Sequence, residues 1–302
     1  MRNEHSENMK ILYLGMMTGN NGFTKAFKSL CDYREVPTRL RNFKEESIRV
    51  FKEFKPDMVF MQIQAANVID VKTVQQFKGT YVVNWTGDIR SPIPPWYFEI
   101  GRHIDLTCFS NMTDVKEFRK SGLKSEFLDI GYDNEIYYPD NREKTKDIVF
   151  MGSNYGNKFP LSQLRRDMVN FLKNEYGDRF EYYGNGWLEA NGSLNQHDEA
   201  EVYRNTKIAI NLNHYDHEHY NSDRMFRILG CGTMCLPRYY QGIDEDYPEL
   251  PSWVSFKDLK QQLDLFLEHP GGIVVMEGYS EELAEEHTFE EMCKNIIKLY
   301  KK

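Results

Sequence analysis

Long apolar runs are missing from this 302-residue chain. None approaches the ~20 residues that a membrane-crossing helix requires, so no span is expected. Paired cysteines are missing too. The five present (Cys31, Cys108, Cys231, Cys235, Cys293) are odd in number, scattered and without CxxC spacing. That pattern speaks against a disulfide framework and reads as reduced core residues. Positive charge is not in excess: the formal net charge is −8, so broad attraction to nucleic acid or acidic membrane is not expected. No repeat or low-complexity tract appears. The amino end, MRNEHSENMK, is polar and lacks a signal-peptide core, which makes a cytosolic address the expectation. The first glycine-rich loop is spaced Gly15, Gly19, Gly22 and is not G-x-G-x-x-G, which weakens a nicotinamide dehydrogenase reading.

What is present is a 40% apolar, 28% charged composition with aromatics at 14%. This is a soluble globular profile in which large rings fill cores or line a cleft. The length fits two domains better than one. Continuous apolar stretches at Lys10–Leu14, Pro56–Met61, Tyr81–Trp85 and Leu106–Phe109 alternate with helical periods. The charged, proline-containing stretch 132–146 reads as a linker. Alternation then resumes at Asp147–Met151, Phe180–Tyr183, Lys207–Leu212 and Trp253–Phe256. Buried strands separated by helices mean parallel sheets covered on both faces. The expected architecture is α/β with two Rossmann-like domains facing across a cleft. Residues 1–138 form the first, 139–285 the second, and 286–302 a C-terminal helix able to cross back to the first.

The richest stretch is 207–236, KIAINLNHYDHEHYNSDRMFRILGCGTMCL. A buried strand enters a polar loop, which meets a helix opening at Ser222-Asp223-Arg224 and stopping at Gly230-Cys231-Gly232. A Ser-Asp cap, free N–H groups and Arg224 together suit a phosphate at a helix amino end. The loop residues Asn213 and Tyr220 lead into Ser222 and are placed against the transferred group or the phosphates. Gly152, Ser153 and Asn154 follow a strand and let backbone approach a ligand, with Lys158 and Arg165 just beyond to add charge. Gly184-Asn185-Gly186-Trp187 ends the next strand. Its glycines admit a flat ring that Trp187 can wall, although a tight turn with a core Trp fits equally well.

Asp88, in TGDIR at the end of a first-domain strand, is the candidate general base for an acceptor hydroxyl. A structural turn carboxylate paired with Arg90 is the competing reading. Segment 34–55 crowds seven cations among four glutamates and reads as a solvated helix face, with a landing strip for an anionic acceptor as the alternative. His214, His217 and His219 have loose metal-ligand spacing but no second cluster, and no metal site is assigned.

At this point the residues resemble glycosyltransferases of the two-Rossmann GT-B type, in particular the spore-maturation (CgeB-like) group and its phage-type relatives. DIVFMGSNYG, YYGNGW, YRNTKIAINLN, YNSDRMFRILGCGTMCL, GIDEDY and the closing HTF carry the likeness over roughly residues 147–290. VVNWTGDIR, IDLTCFSNMTDVKEFRKSGL and LDIGYD carry it in the first half. The resemblance implies a nucleotide-sugar donor in the second domain, an acceptor in the first, and no obligatory metal or other cofactor. One position departs from the pattern. Relatives often carry a ribose-holding Glu five residues before the glycine at 232, and here Arg227 stands there. Asp223 or another carboxylate is left for the ribose, and Arg227 for phosphate.

The expected function is transfer of a sugar, a hexose with UDP as the favoured carrier, to an acceptor hydroxyl. Small molecule, glycan, protein and modified DNA remain open as acceptors, as does the oligomeric state. The alternatives are a phage-type enzyme acting on a hydroxymethylated DNA base and a non-catalytic nucleotide-binding shell.

Overall fold

The computed structural model describes residues 9–140 and 142–300. The chain divides into two compact units. One contains the residues up to Gly131 together with those from Phe289 onward, and the other runs from Tyr132 to Thr288.

The first unit holds strands β1 (Lys10–Gly15), β2 (Asp32–Pro37), β3 (Met58–Met61), β4 (Tyr81–Thr86), β5 (Leu106–Phe109) and β6 (Ser125–Phe127). They form one sheet in the order β2-β1-β3-β4-β5-β6, all pairs parallel. Its helices are α1 (Gly22–Leu30), α2 (Phe43–Phe54), α3 (Val71–Val74), α4 (Pro95–Gly101) and α5 (Met112–Lys120). Side-chain alternation sorts the core. Ile11, Tyr13, Phe60 and Trp85 pack on one face with α1, while Leu12, Leu14, Val59 and Met61 pack on the other with α2. Asn21 starts α1 by accepting from the Thr24 N–H at 3.0 Å.

The second unit holds β7 (Lys146–Met151), β8 (Phe180–Tyr183), β9 (Thr206–Asn211) and β10 (Met234–Pro237). Their order is β10-β9-β7-β8, again parallel. The helices are α6 (Ser162–Tyr176), α7 (Gln196–Arg204), α8 (Asp223–Gly230), α9 (Ile243–Asp246), α10 (Phe256–Glu268) and α11 (Pro270–Glu285). The last helix, α12 (Phe289–Leu299), belongs to the first unit. Its Met292, Cys293 and Ile296 enter the core beside Phe23.

Each unit is therefore a Rossmann-like parallel sheet covered by helices. In the second unit the chain passes from β7 to β8 on one side and then to β9 on the other. The carboxyl end of β7 is thus the topological switch point, where ligands of such sheets bind.

Three local expectations change. Segment 34–55 is not one helical face: Asp32–Pro37 is a strand and Phe43–Phe54 a helix. The DYREVP edge strand escapes an apolar-run reading because half its residues face outward. Ser125–Phe127 is a further short strand that was not expected. Trp253–Phe256 is not a strand. Trp253 makes one bridge to Arg238, and Phe256 already opens α10 because Ser255 accepts from the Asp258 N–H at 3.2 Å.

Candidate functional site

The loops after β7 and β8 lie against each other. The Gly152 N–H donates to the Tyr183 carbonyl at 2.9 Å, and the Asn154 N–H to the Asn185 carbonyl at 2.8 Å. The Asn185 N–H reaches Ser153 Oγ at 3.2 Å. This approach needs glycine at two positions. A Cβ on Gly184, whose φ is +134°, falls 2.6 Å from the Gly152 carbonyl; one on Gly186, with φ +79°, falls 2.2 Å from the Asn154 oxygen. Trp187 fixes the same junction by donating from Nε1 to the Gly152 carbonyl at 2.7 Å.

Beside this junction lie two guanidinium groups. Arg165, on α6, is 2% exposed. It donates from Nη2 to the Leu212 carbonyl at 2.6 Å and from Nη1 to the Ser153 carbonyl at 3.1 Å. Arg224, in the first turn of α8, donates from Nη1 to Asn211 Oδ1 at 3.2 Å and the Leu212 carbonyl at 3.3 Å. Neither has a carboxylate partner among the described residues; their partners are carbonyls, an amide and an imidazole. Burial, and then the Arg224 charge, pull Arg165 down to about 9. Two like charges at the carboxyl edge of a sheet, partly dehydrated and unneutralised, are costly without an anion.

The start of α8 completes the anion end. Ser222 sits at the N-cap in an extended conformation, but its hydroxyl does not cap the helix, contrary to expectation. Ser222 Oγ is buried without a partner. Its backbone N–H is taken instead by Asn213 Oδ1 at 3.2 Å, while Asn213 Nδ2 holds the carbonyl of the buried Tyr220 at 2.9 Å. Asn213 thereby staples the 213–221 loop to the helix start. The Asp223 and Arg224 N–H groups have no intrahelical partner and stand at the positive end of the dipole.

A cavity of about 210 Å³ opens here, lined by Gly152, Ser153, Tyr183 and Gly184 of the two loops and by His214 and Arg224. Ser193, Leu194, Glu199, Asp223 and Arg227 line it as well. Arg227 is neutralised: it is ion-paired with Asp223 on its own helix and with Glu199 at 3.4 Å. This removes it as a free phosphate ligand, since its charge is already spent on two carboxylates.

The structure brings together Gly152, Ser153, Gly184, Asp223, Arg224 and Arg227 around that cavity, with Arg165 directly behind it. It places Asn154, Gly186 and Trp187 around a neighbouring cavity of about 290 Å³, on the α6 side of the junction. Asn185 is exposed at the turn. Lys158 is drawn to the rings of Tyr155 and Phe159, at 5.7 and 5.2 Å. Asp88 is at the carboxyl end of β4 in the first unit, 68% exposed and paired to Arg90 at 3.2 Å. In segment 34–55, Arg49 is bracketed by Glu46 and Glu53, and Lys44 pairs with Asp70 at 2.7 Å. Arg34 lies over the Phe54 ring at 4.8 Å.

Among the three histidines, His214 lines the cavity and faces Arg165 Nη1 at 3.0 Å. Burial and the charges of Arg165 and Arg224 lower its pKa to about 3, so it is neutral. His219 pairs instead with Asp246 at 2.8 Å. Among the described residues no three His, Cys, Asp or Glu side chains gather as a metal set. Sequence reasoning missed Glu199 and Tyr183. Glu199 is the fourth residue of α7 and carries no local motif; only the tertiary approach of α7 to α8 brings it to the pocket.

Two Rossmann-like units with parallel sheets are consistent with the GT-B fold. Within the chain, residues 165–298 match the family described as glycosyl transferase-like. No curated protein matches. The chain is similar in fold to Anabaena Alr3699/HepE, solved with UDP-glucose, at 9% identity and TM-score 0.66, covering 97% of this chain and 100% of that one. It is also similar to T4 phage BGT, solved with UDP-glucose, at 12% identity and TM-score 0.63, covering 96% and 99%. Sucrose-phosphate synthase from Thermosynechococcus elongatus gives 10% identity and TM-score 0.60, covering 97% and 98%. Among the described residues no helix is long and apolar enough to cross a membrane.

Proposed function

We propose that this protein is a glycosyltransferase that moves a sugar from a nucleoside diphosphate carrier, UDP favoured, to an acceptor hydroxyl. The observation that carries the reading is the pair Arg165 and Arg224, unneutralised at the switch point of the second sheet and beside the start of α8. Cleaving a sugar–phosphate bond leaves a diphosphate whose growing charge is the largest demand on the site. Two guanidiniums, the Ser222 hydroxyl and the free α8 N–H groups are preorganised for that charge. The arginines supply positive charge from the chain itself, so the proposed chemistry needs no bound metal. The UDP preference is supported by two fold neighbours solved with UDP-glucose. Membership of the CgeB-like and phage-type group is proposed on the motifs quoted above. Asp88 is proposed as the base that takes the acceptor proton if the reaction inverts the anomeric centre. A DNA acceptor has less support, because the net charge is −8.

The test is a thermal-shift screen of UDP-, GDP-, ADP- and dTDP-sugars on the wild type and on Arg224→Ala. A ligand at a hundred times its Kd adds about 2.7 kcal/mol of stability. One carrier is expected to raise Tm in the wild type and to lose most of that gain in the variant. Equal responses overturn the phosphate assignment. Binding without product or donor hydrolysis points to a non-catalytic shell.

A further inference from the structure

We propose that the cavity on the α6 side of the junction between the β7 and β8 loops is a second ligand site, and that it takes a neutral pyranose ring. This cavity, of about 290 Å³, shares no lining residue with the cavity assigned to the diphosphate. Side chains alternate along the edge strand β8, so Tyr183 lines one cavity and its neighbour Tyr182 the other, on the opposite face. The inference goes beyond the donor reading and does not depend on it.

The walls combine rings with polar groups of both senses. Buried Val169 and Tyr182 meet Trp187, whose ring stands edge-on to Tyr182 with centroids 5.6 Å apart. Leu188, next along the chain, lines the same cavity and is fully exposed. From α6 come Arg166, Asn170 and Lys173, spaced i, i+4 and i+7 on one helix face. The exposed Asn170 amide has no hydrogen-bond partner among the described residues, so it offers two N–H donors and a carbonyl acceptor. Asn154 accepts the Gly156 N–H through Oδ1 at 3.1 Å and keeps its Nδ2 donors open. Glu189 is ion-paired with Lys173. Arg166 is committed to its own loop: it donates to the Gly156 carbonyl, to Asn157 Oδ1 at 2.5 Å and to Gln163 Oε1 at 2.6 Å.

That set matches one ligand chemistry. A phosphate or carboxylate would use the amide donors but meet the Glu189 carboxylate. A purely apolar ligand would strip water from Asn154 and Asn170 and replace none of its hydrogen bonds. A pyranose meets both demands. Its hydroxyls donate and accept together, which the open amides require. Its ring carries faces of C–H bonds, whose positive hydrogens rest favourably on an aromatic wall. A few convergent polar groups over an apolar floor are the usual composition of a small-molecule site. Trp187 links the two cavities without opening one into the other: it lines this one, and its Nε1 holds the carbonyl of Gly152, which lines the other.

The experiment titrates the full chain by saturation-transfer NMR with methyl glucopyranoside, methyl N-acetylglucosaminide, maltose and cellobiose, and with uridine for comparison. The proteins are the wild type, Asn170→Ala, Asn170→Asp and Arg224→Ala. Asn170→Asp keeps acceptor oxygens while removing the donors, and so covers a folding failure of Asn170→Ala. At least one saccharide is expected to bind the wild type and Arg224→Ala equally, because Arg224 lines only the other cavity. Its affinity is expected to fall about three- to tenfold in both Asn170 variants, the range of one neutral hydrogen bond. Binding of none of the four saccharides overturns the inference. So does an affinity unchanged in both Asn170 variants. A saccharide signal lost in Arg224→Ala moves the sugar to the diphosphate cavity and overturns it too. Uridine binding that weakens in the Asn170 variants while no saccharide does so gives the cavity to a nucleoside, with the same consequence. The diphosphate reading is judged separately, by the thermal response to nucleotide sugars, and survives each of these results.

Discussion

Arg165 and Arg224 lie over the same aromatic ring, with their guanidinium carbons 5.5 and 6.0 Å from the centroid of Phe150. The ring's negative face offsets part of their repulsion and holds both without neutralising either. Phe150 is wholly buried, so the pair rests on the sheet itself and not on a mobile loop. A diphosphate arriving at this point meets charges that are already aligned and need not reorganise.

That geometry makes the arginine fork matter at position 165. Arg165 spans two carbonyls, Leu212 and Ser153, from one planar group. Lysine keeps the charge but places it at a single point and cannot hold both loops. Arg165→Lys is expected to weaken nucleoside diphosphate binding at least tenfold, about 1.4 kcal/mol, by calorimetry at fixed salt. Unchanged affinity means that Arg165 contributes charge alone.

The junction of the β7 and β8 loops should be intolerant of a single methyl group. At Gly184 the backbone is left-handed and an added Cβ meets the main chain of Gly152, which cannot swing aside as a side chain would. Gly184→Ala is expected to cost about 1–3 kcal/mol in unfolding free energy and to reduce the donor-induced thermal shift as well. At Gly192, also at positive φ, an added Cβ has open space. Gly192→Ala is the control, and it should leave the donor response intact. Equal loss of donor response in both variants would show that the loop contact does not shape the site.

These glycines show what was legible in the chain. YYGNGW announces a tight turn after a strand, and the run KIAINLN announces a buried parallel strand, because period and turn chemistry are local properties. Arg224 was legible for the same reason: it follows a polar loop at a helix start. The Ser222 hydroxyl was read as a cap, but Asn213 took the backbone N–H of Ser222, a competition that no local rule resolves. Arg165 announced itself only as a charge beyond the loop, and nothing in SQLRRD distinguishes it from the half-buried Arg166. Burial separates them, and burial is set by how α6 meets β7 and β9. Glu199 lies further still from local signal, on a helix that reads as an ordinary amphipathic segment.

Acid should unfold the protein earlier than its carboxylates alone would dictate. Burial lowers His287 to about 4, and its ring stacks on Phe226 with centroids 4.0 Å apart. His214 shifts the same way, to about 3. An ordinary histidine takes its proton near 6.5, so between 6.5 and these values the unfolded chain binds protons that the native chain refuses. Their contribution is complete above pH 6.5 and is lost as pH falls through that window. Each proton of difference steepens stability by about 1.4 kcal/mol per pH unit. The expected outcome is a flat Tm from pH 8 to 7 and a decline between 6.5 and 5, before most carboxylates titrate. His287→Phe should make that decline shallower; an identical slope would show that His287 is not protonated on unfolding.

A substitution at Asp88 tests binding and chemistry separately. It stands in the first unit, whereas the cavity-lining residues around Arg224 all fall between Tyr132 and Thr288. Its carboxylate is 68% exposed, and its ion pair with Arg90 at 3.2 Å is a surface pair that contributes about 0–1 kcal/mol. Asp88→Asn should therefore fold normally and retain the donor-induced thermal shift. If Asp88 takes the acceptor proton, kcat should fall about 10²–10⁴-fold while the donor KM stays near its wild-type value. The pH profile of kcat/KM for the acceptor should lose its acidic limb in the variant. A variant with normal kcat removes Asp88 from the chemistry, and a variant with a weakened donor response moves its role to binding.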